Sequence, residues 1–283
     1  MPLSERLFLI FQKIIPQAML SRLLGKVAEN ETVFLKDALI KLFIASYRIP
    51  VNEAQEEDLK KYNHFNAFFT RALKAELRPI DANRHAIVSP ADGTIAQIGK
   101  VEEDRFIQAK KFTYSLLSIL GNRKDWANMF NNAPFINIYL APYNYHRVHM
   151  PINGKVLETL YMPGKVFSVN ALTTQNIPGL YAQNERLLCL IETEDLGYVM
   201  MVLVGALFVA GIETVFSGNI GPSSLPIHHK FATPVSLKKG DEFGRFKYGS
   251  TVILFFQQDK VTLSETLHEM GTVLVGQPIG MVN

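Results

Sequence analysis

From Ile87 to the C-terminus the chain breaks into short apolar stretches separated by turn signals, a spacing that predicts a mainly β domain. The stretches are residues 94–98, 135–140, 154–160, 187–193, 198–204, 208–212 and 251–256. Many are non-local in any pairing, so the sheet has to be assembled from distant segments. Residues 104–129 interrupt the pattern and are expected to be partly helical, around residues 114–120.

The first 80 residues read as mainly helical. Residues 31–47 carry Val33, Phe34, Ala38, Leu39, Leu42 and Phe43 at helical spacing, with Pro50 beyond the end. A third helix is expected over residues 65–77, bearing Phe68 and Phe69 and stopped near Pro79. Residues 1–28 mix leucines, isoleucines and phenylalanines with Arg6, Lys13, Arg22 and Lys26 against Glu5 alone, so the whole formal charge of +3 sits there. No apolar run reaches the roughly 18 residues of a membrane span. An amphipathic helix or helix pair lying in a membrane interface fits better, with Pro16 as a break and Gly25 as a stop. A secretory signal fits worse, because Glu5 is acidic and no Ala-x-Ala cleavage pattern follows. The apolar face could also pack on the body of the protein, as most amphipathic helices do.

The chemistry concentrates at Gly249-Ser250-Thr251, which opens directly onto Val252-Ile253-Leu254-Phe255-Phe256. Gly249 allows strained or left-handed backbone and leaves its carbonyl open, while a stiff strand holds the Ser250 hydroxyl still. Asp92, in Ser89-Pro90-Ala91-Asp92-Gly93, and the histidines of Tyr145-His146-Arg147-Val148-His149 supply an orienting carboxylate and a base. Each piece alone has a plainer reading. Gly-Ser before an apolar strand is usually a turn, and Asp-Gly suits a tight hairpin. Spacing alone does not choose between His146 and His149.

Taken in order, these segments resemble the phosphatidylserine decarboxylases of the bacterial, self-processing pyruvoyl type. The resemblance rests on Phe65-Asn66-Ala67-Phe68-Phe69-Thr70-Arg71, Ser89-Pro90-Ala91-Asp92-Gly93, Tyr145-His146-Arg147-Val148-His149-Met150-Pro151, Pro163-Gly164-Lys165-Val166-Phe167-Ser168-Val169-Asn170, Asn184-Glu185-Arg186, and Gly244-Arg245-Phe246-Lys247-Tyr248-Gly249-Ser250-Thr251. Together they span most of residues 60–283. One departure is Tyr248, where the family usually has Leu; altered packing rather than lost processing is expected from it.

The resemblance implies a triad of Asp92, His149 and Ser250, with Asp92 accepting a hydrogen bond from one ring nitrogen of His149. It implies self-cleavage between Gly249 and Ser250, giving a large subunit (1–249) and a small one (250–283), and a pyruvoyl group made from Ser250 that forms a Schiff base with phosphatidylserine. Carbon dioxide then leaves and phosphatidylethanolamine results. His146 is the candidate proton donor to the product carbon, and Phe167, Ser168 and Asn170 are candidate substrate-binding residues. The fold class expected is α+β: a mainly antiparallel β catalytic domain (81–283) preceded by N-terminal membrane-associating helices (1–80). The expected location is the cytoplasmic face of the cell membrane, peripherally bound, with an anionic membrane surface as partner; a homo-oligomer stays open.

Other classes find less support. The single cysteine, Cys189, excludes an intramolecular disulfide and reads as a core thiol. His228-His229 lacks the spacing of a metal site and reads as a loop, so no metal is expected. There is no glycine-rich nucleotide fingerprint, and the small net charge argues against a nucleic-acid partner. A serine hydrolase using the same three residues would lack the Gly-x-Ser-x-Gly elbow. A non-enzymatic membrane-docking module would make the triad coincidental and tolerate Ser250→Ala.

Overall fold

The computed structural model describes residues 2–102, 105–109, 112–206, 211–247 and 249–283. Its helices are α1 (Leu3–Ile14), α2 (Gln17–Ala28), α3 (Val33–Tyr47), α4 (Phe65–Phe69), α5 (Leu116–Ile119), α6 (Lys124–Met129), α7 (Ala171–Thr174) and α8 (Leu180–Gln183). The strands are β1 (Ala86–Val88), β2 (Gly93–Lys100), β3 (Arg105–Ala109), β4 (Phe112–Ser115), β5 (Pro134–Leu140), β6 (Arg147–His149), β7 (Gly154–Met162), β8 (Arg186–Thr193), β9 (Gly197–Val204), β10 (Ile212–Thr214), β11 (Gly218–Ile220), β12 (Ile227–Leu237), β13 (Glu242–Phe246), β14 (Ser250–Phe256), β15 (Val261–Leu263), β16 (Thr272–Val273) and β17 (Pro278–Val282).

Eight strands form the main sheet in the order β12-β7-β8-β9-β14-β5-β2-β16, and every neighbouring pair is antiparallel. A second sheet, β11-β10-β13-β6, carries the histidine segment, and a third, β1-β17-β15, closes the C-terminus. The sheet is therefore mostly non-local, as the spacing of the apolar stretches predicted.

β14 sits in the interior of the main sheet, and all seven of its residues are buried. Both faces are covered because alternate residues point to opposite sides. Val252, Leu254 and Phe256 enter one core with Val148, Phe243 and Phe246. Ile253 and Phe255 enter a second core with Phe167, Tyr181 and Leu9 of α1. Each such apolar side chain contributes about 1.5–3 kcal/mol when fully buried, so the strand behind Ser250 is firmly fixed.

The amino-terminal helices break at Pro16 as expected, but α2 runs through Gly25 to Ala28. Among the described residues no helix is long and apolar enough to cross a membrane. The helix expected over 65–77 ends after five residues. Thr70 Oγ1 donates back to the Asn66 carbonyl, and the following backbone pairs with residues 53–55 through Gln55 N–H to Ala72 O and Lys74 N–H to Glu53 O.

The stretch expected to be partly helical does hold the short helices α5 and α6, with α5 inside the expected 114–120, but strands β3 and β4 precede them, pairing Arg105 with Ser115. One further expectation needs correction. His228 and His229 lie on β12, paired with Leu160 and Thr159 of β7, rather than in a loop. There His228 Nε2 meets Glu158 Oε2 at 2.6 Å. The strand expected over 208–212 is described only from Ile212, the first residue of β10, and residues 207–210 and Tyr248 lie outside the described residues.

Candidate active site

Ser250 is the first residue of β14 and faces Leu140, the last residue of β5. Its side chain is wholly buried, and its Oγ has no hydrogen-bond partner among the described residues. The next hydroxyl behaves differently: Thr251 Oγ1 lies 2.7 Å from Asn137 Oδ1 and 2.8 Å from the Ile138 carbonyl. Burying an unpaired hydroxyl costs about 1–3 kcal/mol, so an idle Ser250 is a costly feature for a purely structural strand end. At Gly249, a Cβ would meet the Leu140 carbonyl at 3.7 Å, an ordinary contact. Space alone therefore does not demand glycine there.

Asp92 immediately precedes β2. The register Thr94–Tyr139–Thr251 across β2, β5 and β14 puts Asp92 at the same end of the sheet as Ser250, two strand spacings away, or about 10 Å. The segment that carries the histidines comes back to the same end. His149 N–H donates to the Pro90 carbonyl at 2.8 Å, and Phe246 N–H donates to the His146 carbonyl at 3.0 Å. Asp92, His146, His149 and Ser250 are thus gathered from three strands or their edges, β2, β6 and β14.

The hydrogen bonds within the group differ from the expected triad. Arg78 Nε lies 2.9 Å from both Asp92 oxygens, Arg78 Nη2 donates at 2.6 Å, and Val275 N–H adds a bond at 2.8 Å. His149 instead donates from Nδ1 to the Gly240 carbonyl at 2.8 Å, which leaves Nε2 as the acceptor of the Tyr145 hydroxyl at 3.1 Å. The expected Asp92–His149 hydrogen bond is not among the described contacts. The reason is physical: a guanidinium offers a buried carboxylate two charge-assisted bonds, against the single bond of a neutral imidazole.

The two histidines are both held neutral. Burial lowers the pKa of His149, with the Gly240 carbonyl and the Glu242 and Asp92 charges opposing. Burial pushes His146 down to about 3, and the bond to the Pro142 carbonyl only partly opposes it. His146 stacks on Phe69 with ring centroids 4.1 Å apart. Its Nε2 donates to the Pro142 carbonyl at 3.2 Å, while Nδ1 has no partner among the described residues. Among the described residues, the Ser250 hydroxyl and His146 Nδ1, which carries a free lone pair, are thus both without a partner.

The candidate substrate residues have other described partners. Phe167 is packed in the second core, while Ser250 shares the facing of Val252 and the first. Asn170 caps α7 by accepting from Thr173 N–H at 3.0 Å, and Ser168 accepts from Thr173 Oγ1. None of the three makes a described hydrogen bond to Ser250, His146 or His149. Their loop is instead held by consecutive amides: Val166 N–H to Gln17 Oε1 at 2.9 Å, Phe167 N–H to Asn184 Oδ1 at 3.0 Å, and Ser168 N–H to Gln12 Oε1 at 3.0 Å.

A family model described as phosphatidylserine decarboxylase matches residues 65–281, the stretch that contains every one of these groups except the two glutamines. The chain belongs to the phosphatidylserine decarboxylase family. A second family model, described as PSD, matches residues 7–48. The chain is 46% identical to the phosphatidylserine decarboxylase proenzyme of Ectopseudomonas mendocina over 98% of its length and 99% of that relative. The proenzymes of Acinetobacter baylyi and Escherichia coli strain 55989 are each 45% identical, over 98% and 96% of this chain and 96% and 87% of theirs. The resemblance drawn from six sequence segments is thereby borne out.

For this decarboxylase family member, the residues that sequence reasoning missed are those acting across long separations. Arg78 reaches Asp92 over 14 positions, and Gln12 reaches Ser168 over 156. Lys247, two residues before Gly249, is anchored by Glu29 at the end of α2, at 2.8 Å. That ion pair, foremost through its hydrogen bond, lowers the Glu29 pKa. No local spacing signals any of these pairs.

Proposed function

We propose that the chain decarboxylates phosphatidylserine to phosphatidylethanolamine after cutting itself between Gly249 and Ser250. One observation carries the reading: a wholly buried hydroxyl, unpartnered among the described residues, directly after a glycine and at the mouth of an interior strand. A neutral histidine takes the Ser250 proton, and Oγ attacks the Gly249 carbonyl, so the peptide becomes an ester. His149 is the base proposed, with its Nε2 lone pair released from Tyr145; Asp92 acts through Arg78 and the surrounding field rather than by direct contact. Loss of the Ser250 α-proton then expels the Gly249 carboxylate and leaves dehydroalanine. Water converts that residue to a pyruvoyl terminus with release of ammonia.

The bare Ser250 oxygen and the open neighbourhood of Gly249 fit this conversion. The pyruvoyl group supplies a ketone that takes up the substrate amine and accepts the electron pair left by carbon dioxide. The small subunit (250–283) stays in place because β14 is paired on both sides, to β9 and to β5. His146 is proposed to handle the proton at the product carbon. Its depressed pKa means that it holds no extra proton at pH 7 until an anion lies beside it. We further propose that α1 to α3 rest on an anionic membrane surface at the cytoplasmic face, where Leu3, Leu7, Ile14, Met19 and Phe34 are exposed.

Denaturing mass analysis of purified protein tests the reading. Two fragments are expected, the smaller blocked at residue 250 and modified by cyanoborohydride with an amine. Ser250→Ala should abolish both cleavage and carbon dioxide release. Active enzyme with an intact, unblocked Ser250 would overturn it.

A further inference from the structure

A hollow of about 200 Å³ lies against Asp92, walled by the end of α3 and by residues 143–145. Three arginines, Arg48, Arg71 and Arg78, line it, and so do the carboxylates of Glu53 and Asp92. Three of the five charges already engage one another, since Arg78 grips Asp92, and Glu53 lies 3.8 Å from the same guanidinium. Arg71 makes no such ion pair among the described residues. It is 3% exposed, and its Nε and Nη1 are buried without a hydrogen bond among the described residues. The Phe68 ring lies under its guanidinium, 5.2 Å from the centroid. A buried guanidinium with two unpartnered nitrogens beside a cavity is an unmet demand for an anion, and arginine's planar fork matches phosphate oxygens.

We propose that this hollow seats the phosphodiester of the lipid headgroup, with Arg71 as its principal cation and Arg48 as a second charge at the rim. The proposal rests on the phosphatidylserine reading above and extends it to a subsite. The hollow is placed for that role. Tyr145 in its wall hydrogen-bonds His149, and Phe69, two residues before Arg71, stacks on His146. Tyr143 follows Leu140, the partner of Ser250, by only three residues. In phosphatidylserine the amine and the phosphorus are separated by four bonds, so an amine held at position 250 keeps its phosphate within the same end of the fold.

Chemistry selects the phosphodiester over the carboxylate of the same headgroup. The carboxylate leaves as neutral carbon dioxide, so a cation bound to it would stabilise the ground state and oppose the reaction. The phosphodiester keeps its charge throughout, and binding it helps substrate and transition state alike. Arg71 also opposes protonation of His146, and an anion beside it would relieve that opposition.

The test uses processed enzyme and short-chain phosphatidylserine dispersed in detergent. Arg71→Gln is expected to raise KM about tenfold or more with little change in kcat, and Arg71→Lys to restore part of the loss. Arg48→Gln, at an exposed position, should raise KM less, by about threefold. Inorganic phosphate should inhibit the native enzyme competitively and lose potency in Arg71→Gln. A matured Arg71→Gln enzyme with native KM would overturn the proposal. Should that variant fail to mature, an unchanged KM in Arg48→Gln together with no competitive inhibition by phosphate would overturn it equally. Native protein that matures but releases no carbon dioxide would instead sink the functional reading, and phosphate binding measured by calorimetry on native and Arg48→Gln protein would then decide the subsite alone.

Discussion

Arg78 grips both carboxylate oxygens of Asp92 at 2.6–2.9 Å, and that hold takes the place of the Asp92–His149 hydrogen bond expected of a linear triad. Asp92 is 2% exposed, so its charge depends on the guanidinium and on Val275 N–H. The consequence is a carboxylate that shapes the field at the site while His149 is oriented by the Gly240 carbonyl.

Removing the guanidinium should therefore damage more than an ion pair. Arg78→Gln leaves Asp92 buried with one remaining donor, and breaking such a pair costs about 3 kcal/mol. We expect a lower unfolding midpoint in denaturant and slower self-cleavage, with Arg78→Lys intermediate. Native stability and maturation half-time in Arg78→Gln would show that the pair carries neither function.

The pH dependence of maturation follows from the lowered pKa of His149. A general base works in its neutral form, and burial keeps this imidazole neutral below the usual value of 6.5. The cleavage rate should thus stay level from pH 7.5 down through 6.5 and fall only at lower pH. Following the disappearance of precursor at each pH measures it. A half-maximal rate at pH 6.5 or above would contradict the assignment of His149, or its burial.

How much of this was legible beforehand depends on the range of the interaction. β14, β5, β8 and β9 declared themselves because every residue pattern needed was local: runs such as Val252–Phe256 are apolar on both faces and can only be interior. Ser250 and the histidines were legible through the segments that contain them. Arg78 was not, since a single arginine after a short turn looks like solvated surface. Gln12 and Gln17 were hidden for a similar reason. Polar residues on an amphipathic helix read as its wet side, yet these two are 0% and 7% exposed.

Those glutamines lead to a prediction about the loop at 166–168. Gln17 Nε2 donates to the Gln12 carbonyl at 2.6 Å, so the two residues form one bracket holding the Val166 and Ser168 amides. Gln12→Leu removes the acceptor for a half-buried N–H, at a cost of about 1–3 kcal/mol. Activity on detergent-dispersed substrate should drop, and Gln12→Glu, which keeps an acceptor oxygen, should recover part of it. Hydrogen exchange at residues 166–168 reads the loop directly. Unchanged protection in Gln12→Leu would refute the bracket.

The same bracket changes what deletion of residues 1–28 can mean. Cutting the helices away removes the Gln12 and Gln17 acceptors, Leu9 from the second core and the Glu29 approach to Lys247, so the deletion mixes anchoring with catalysis. Surface substitutions separate the two. Leu3, Leu7 and Ile14 are 72%, 57% and 76% exposed and belong to neither the bracket nor the core. Changing all three to serine should cut binding to anionic vesicles, since each removes apolar area available to the interface at about 25 cal/mol per Å². Cleavage at Gly249 and turnover of dispersed substrate should survive the change. Vesicle flotation equal to that of the native protein would remove α1 from the proposed membrane contact, with the exposed Val33, Phe34 and Leu42 of α3 as the next surface to substitute.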